Sequence, residues 1–189
     1  MKKALFVFLV LCLALTLGAC KKEETPSGGE TMVEHIDIET LEKDSLNVSL
    51  EVPDSWEISS SSYLGTEIRR YGSKLSGNSD TFAESISVTS EEFSGDVELS
   101  EYVERNVENY KKTFTNFKII SEPSPVTVGE FEGIRVVFSY STGALSVVVD
   151  QTFVLSDTNV YIIICNAARD SYEEFKDIFD TALKSFKIN

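Results

Sequence analysis

The run Val160-Tyr161-Ile162-Ile163-Ile164-Cys165 is apolar at both parities. Successive side chains of a strand point to opposite faces, so such a strand belongs in the middle of a sheet that is covered on both sides. That requirement predicts a layered fold in which both faces of the sheet are covered. The preceding segments supply neighbours for it. Ile134, Val136, Phe138 and Tyr140 alternate along one strand, and Leu145 to Leu155 forms another. The links Ser141-Thr142-Gly143-Ala144 and Ser156-Asp157-Thr158-Asn159 are short enough to force antiparallel pairing of all three.

Two amphipathic stretches have the period of a covering helix. Val103, Val107, Tyr110 and Phe114 stand at i, i+4, i+7 and i+11 behind a candidate N-cap, Ser100, with acids in the first turn and Lys111-Lys112 near the end. Tyr172, Phe175, Phe179, Ala182 and Phe186 repeat the rhythm from about Ser171 to Leu183, where Ser171 and Glu174 suggest a capping box. Further strands are predicted upstream. Leu46 to Val52 alternates up to Pro53-Asp54, Trp56 to Ile58 is a short second strand, and Glu67 to Tyr71 carries Arg69 and Arg70. Ser85 to Ser90 reads as a strand with one apolar face. The serine run Ser59 to Ser62 is low-complexity sequence, and Gly72 to Asp80 reads as a loop. Phe117 to Ile120 and Val126 to Val128 are predicted as separate strands, broken by Pro123 and Pro125. The expected fold is one α+β domain over residues 41–189, an antiparallel sheet of about six or seven strands flanked by helices.

The first forty residues do not belong to that domain. Met1-Lys2-Lys3, the apolar stretch Ala4 to Leu17 and the small pair Gly18-Ala19 make a signal peptide that would be cut before Cys20. The apolar stretch is shorter than the ~20 residues needed to span a bilayer and is followed by Lys21-Lys22-Glu23-Glu24. Leu17-Gly18-Ala19-Cys20 resembles the lipobox of bacterial lipoproteins, in which the cysteine thiol receives a diacylglyceryl group before cleavage. The resemblance implies that residues 1–19 are removed, that Cys20 is lipidated, and that the protein is extracytoplasmic and held to the membrane by its lipid. Residues 20–40 are polar and contain Pro26, Ser27, Gly28 and Gly29, the composition of a flexible tether. His35, the single histidine, lies there without partners for metal binding or catalysis.

Charge and cysteine content narrow the function further. There are 17 basic and 31 acidic residues, a net charge of −14, which becomes −16 when Lys2 and Lys3 leave with the signal. That field repels phosphate backbones and no basic stripe interrupts it, so nucleic acid is not expected as a partner. Of three cysteines, Cys12 leaves and Cys20 is taken by lipid. Cys165 therefore has no disulfide partner, and its apolar surroundings predict a buried, inert thiol.

No catalytic constellation is found. Without a domain histidine there is no Ser-His pair, and the sequence has no Gly-x-Ser-x-Gly elbow, no Ser-x-x-Lys at a helix start and no Walker or dinucleotide glycine pattern. Glu91-Glu92 and Glu173-Glu174 read as solvated acids, and no calcium-loop spacing is present. No cofactor and no metal site are expected. Arg69, Arg70, Arg105, Arg135 and Arg169, with the tyrosines, are candidates for a binding face, since both residue types favour interfaces.

The order of elements carries a second resemblance. Val52-Pro53-Asp54-Ser55-Trp56, the central helix, the strand at Phe117 to Ile120, the entry Gly133-Ile134-Arg135 and the ending Lys184-Ser185-Phe186-Lys187-Ile188 resemble the PsbP-like proteins. That group shares its fold with the Ran-binding protein Mog and includes bacterial lipoproteins of unassigned role. The resemblance implies an α/β/α sandwich and a non-enzymatic binding or assembly role, and it carries over no ligand residues. The expectation is a lipid-anchored accessory protein with an envelope protein as partner. An envelope hydrolase and a carrier of a small apolar ligand stand as alternatives. The candidate partner site is Ser59 to Asp80, where Arg69 and Arg70 interrupt an acidic chain.

Overall fold

The structure, a computed structural model, describes residues 46–63, 65–76, 80, 82–93 and 97–189. Its elements in chain order are β1 (Val48–Ser49), β2 (Glu57–Tyr63), β3 (Thr66–Gly72), β4 (Ser85–Glu92), α1 (Leu99–Thr113), β5 (Thr115–Val128), β6 (Phe131–Thr142), β7 (Leu145–Ser156), β8 (Asn159–Ala168), α2 (Tyr172–Ser185) and β9 (Lys187–Ile188). Seven strands form one antiparallel sheet in the order β2-β3-β4-β8-β7-β6-β5. The doubly apolar strand β8 sits in the centre, as its pattern demands. Val160, Ile162 and Ile164 face a core shared with Val103, Val107, Tyr110 and Phe114 at α1. Ile163, Cys165 and Ala167 face a second core with Tyr172, Phe179, Ala182 and Leu183 of α2. The fold is the α+β sandwich expected, with one helix on each face.

Several local expectations are corrected. The segment Leu46 to Val52 buries Leu46 and Val48, but only Val48 and Ser49 pair, with Ile188 and Lys187 of β9. The rest lies against α2, where the Glu51 amide donates to Ser185 Oγ at 2.8 Å. The serine run is a strand. Serine has little β preference of its own, so it is pairing to β3 that extends β2 through Tyr63. β4 is buried on both faces, Ser85, Ser87 and Thr89 included, because it pairs directly with central β8. β5 runs unbroken through Pro123 and Pro125. It is an edge strand, so a missing N–H can face away from β6, and its register slips three times.

The caps differ as well. Glu98, not Ser100, holds the N-cap position of α1, and its side chain makes no capping bond. Ser171 holds the N-cap position of α2 but forms no capping box. Its backbone is already helical, φ −100° and ψ −12°, rather than the extended one that lets an N-cap oxygen reach the next amides, and its hydroxyl donates to the buried carboxylate of Glu84. The stripe on α1 is as predicted, and Phe114 just beyond the helix stacks on Tyr140 with ring centroids 4.4 Å apart.

Candidate functional site

Cys20 and His35 lie outside the described residues. Arg69 and Arg70 are consecutive residues of β3, so they leave the sheet on opposite faces and do not form one patch. Arg69 shares the α2 face with Tyr71. Its guanidinium carbon lies 5.9 Å from the Tyr71 ring centroid, and Nη1 donates to Ser60 Oγ on β2 at 3.4 Å. Arg70 shares the α1 face with Ile68 and folds along its own strand, Nη1 lying 2.5 Å from the point that a Cβ on Gly72 would occupy. No hydrogen bond or ion pair joins the Arg70 guanidinium to any of the described residues. Burial draws its pKa below the ordinary arginine value, with no carboxylate to offset it. Lys74, just past β3, is exposed and 3.6 Å from Glu57 at the start of β2.

β2 itself is exposed along its whole length. Ile58 is 54 % exposed and Tyr63 38 %, two of the larger apolar side chains left in water. The hairpin of β2 and β3 thus carries Arg69 and Arg70 beside Glu57 and Glu67, near neutral in an acidic molecule, on the ladder of β3, β4 and β8.

A second cluster is internal. Arg135 on β6 is held by Asp150 on β7 through a fork, Nε to Oδ1 at 2.7 Å and Nη2 to Oδ2 at 2.5 Å, while Nη1 meets Asp180 of α2 at 2.7 Å. Tyr172 of α2 donates its hydroxyl to Asp150 Oδ2 at 3.0 Å, and Lys176 supports Asp180 at 3.3 Å. The bond to Asp150 raises the Arg135 pKa, and burial raises that of Tyr172. Burial pushes the Asp180 carboxyl up, but Arg135 and Lys176 outweigh it and hold the group below the usual carboxylate range. Cys165, opposite Asp150 in the ladder, is fully buried and its thiol pKa is raised by that burial, which keeps it protonated. Every charge in this group is matched, so its chemistry is that of a tie between α2 and the sheet. Its sequence signal was Asp150 closing the apolar run Val147-Val148-Val149, an acid where a strand should be greasy.

The acid pairs separate. Glu92, Glu173 and Glu174 are exposed, whereas Glu91 is half-buried, its pKa raised by burial, and accepts a hydrogen bond from the Tyr102 hydroxyl. Among the described residues no group of three His, Cys, Asp or Glu is placed to hold a metal ion, and no helix is long and apolar enough to cross a membrane.

No protein-family model matches the chain, and no curated protein matches it by sequence. Solved structures do. PA94 of Pseudomonas aeruginosa, a protein of unknown function, is 18 % identical with a TM-score of 0.55, over 71 % of this chain and 87 % of that one. LpqN of Mycobacterium tuberculosis, involved in cell envelope biogenesis, is 21 % identical with a TM-score of 0.57, over 75 % and 83 %. Cyanobacterial PsbP from Synechocystis is 15 % identical with a TM-score of 0.46, over 71 % and 93 %. The chain therefore shares the fold of PA94 and LpqN, a seven-stranded antiparallel sheet between two helices.

Proposed function

We propose that this protein is a bacterial lipoprotein, a lipid-anchored extracytoplasmic binding or accessory protein with a PsbP-like domain and no catalytic activity of its own. The observation that carries the reading is the leader, in which a positive start, an apolar stretch and Leu17-Gly18-Ala19 run directly into Cys20. A chain of net charge −14 is repelled by anionic lipid, so the membrane partner is reached through acyl chains on Cys20. The fold shared with LpqN, itself an envelope biogenesis protein, supports an envelope setting. The protein partner is an envelope protein met at the hairpin that carries Arg69 and Arg70.

Fractionation of cells expressing the Cys20→Ala variant tests the anchor. The variant should leave the membrane fraction and the unaltered protein should stay in it; equal membrane retention of both would overturn the reading.

A further inference from the structure

The two edges of the seven-stranded sheet, unpaired on their outer sides among the described residues, are built differently. β5 carries Pro123 and Pro125 and three register breaks against β6, devices that stop another strand from adding. β2 has none of them. Its seven residues pair with β3 without interruption, all are exposed, and from Ile58 to Tyr63 it contains neither proline nor charge. Such an edge is a template for an added strand.

The row behind that edge sets the chemistry of the strand it would accept. Ser60 and Ser59 are the ladder partners of Arg69 and Arg70. On the Arg69 face, then, a guanidinium stands one strand back with nothing larger than the Ser60 side chain between it and a newcomer some 4.8 Å further out, while on the other face Arg70 rises behind Ser59 and folds toward Gly72, whose partner on β2 is Glu57. Arg69 already reaches β2 at Ser60 Oγ. Arg70 is half-buried and its guanidinium makes no hydrogen bond or ion pair with the described residues, so a carboxylate would supply what its surroundings lack. Because side chains of an added strand alternate between faces, two consecutive acids would meet the two arginines, one on each side. A second copy fits less well. Pairing β2 with itself over its full length sets Ser60 against Ser60 and brings the two Arg69 guanidinium groups together.

We propose that the β2 edge binds an extended segment of a partner protein by strand addition, with Arg69 and Arg70 selecting two consecutive acidic residues in it. This deepens the reading of the chain as a binding protein and rests on it.

The test uses the full chain in detergent and a capped peptide of about eight residues, long enough to lie along β2. The peptide alternates threonine and valine around a central pair of glutamates. Hydrogen exchange should show protection of the Glu57–Tyr63 amides on binding. Lysine in place of the glutamates should weaken binding by about tenfold or more, as should Arg69→Glu with Arg70→Glu. Of two peptides N-methylated on alternate backbone nitrogens, one should lose binding, a readout that leaves the protein's own fold untouched. An absence of binding, equal binding of the lysine peptide, or protection elsewhere would overturn the proposal. So would self-association, detected by sedimentation without peptide, that protects the same amides. A chain that stays anchored but ignores the peptide refutes the edge alone, while one that binds the peptide but is not anchored through Cys20 refutes the lipoprotein reading alone.

Discussion

Gly129 and Gly143 both sit in hairpin turns at positive φ, +57° and +59°, yet their surroundings differ completely. A Cβ on Gly143 would meet nothing within 4 Å, so Gly143→Ala should cost only the left-handed backbone term of about 1–2 kcal/mol. A Cβ on Gly129 would land on the carbonyl oxygen of Phe186. The same residue donates its N–H to Leu183 O at 2.9 Å, which fastens the turn between β5 and β6 to the end of α2. Gly129→Ala should therefore cost about 3 kcal/mol or more, because backbone has to move. Denaturant unfolding of both variants checks this, and equal losses would show that the close approach to Phe186 contributes nothing.

α2 owes its attachment to more than its apolar stripe. Phe179, Ala182 and Leu183 bury against the sheet, and the fork of Arg135 on Asp150, extended to Asp180, fixes where along β6 and β7 the helix lies. Asp150 has no exposed side-chain surface, so removing its counter-charge leaves a buried carboxylate with only the Tyr172 hydroxyl. Arg135→Met should then destabilise by about 3–5 kcal/mol. Replacing both partners, Arg135→Met with Asp150→Leu, should cost less than the single change, since no orphaned charge remains. Urea denaturation of the set decides it; a double variant worse than Arg135→Met would mean that the pair contributes net stability rather than position. The resemblance read from Gly133-Ile134-Arg135 marked the place of this tie without its partners, because Asp150 and Asp180 are 15 and 45 positions further on.

At the level of the molecule, −14 charges on one chain repel each other across distances that salt can screen. Raising ionic strength from about 0.01 M to about 0.15 M shortens the Debye length from about 30 Å to about 8 Å. The buried tie at Arg135 is shielded from that change, and the exposed pairs such as Lys74 with Glu57 are worth little to begin with. Relief of repulsion should dominate, and thermal unfolding at pH 7 should shift upward by about 2–5 °C. A downward shift would show that surface ion pairs outweigh the net charge.

The sequence by itself determined which segments bury and on how many sides. The two parities of Val160 to Cys165 required a central strand, the stripes at Val103 to Phe114 and Tyr172 to Phe186 required covering helices, and the short links required hairpins. These follow from periodicity, a property of consecutive residues. Only the tertiary structure decided what lies beside what. β4 is buried on both faces because β8, more than sixty residues later, is its neighbour, a pairing invisible to local pattern. Four serines form a strand because β3 offers hydrogen bonds, and two prolines stay in one because β5 has no neighbour on its outer side among the described residues. Arg69 and Arg70, adjacent in sequence and so read as one patch, are divided by the alternation of the strand they turn out to occupy. That division, set by pairing between distant segments, is what puts the two arginines on the two sides of the β2–β3 hairpin.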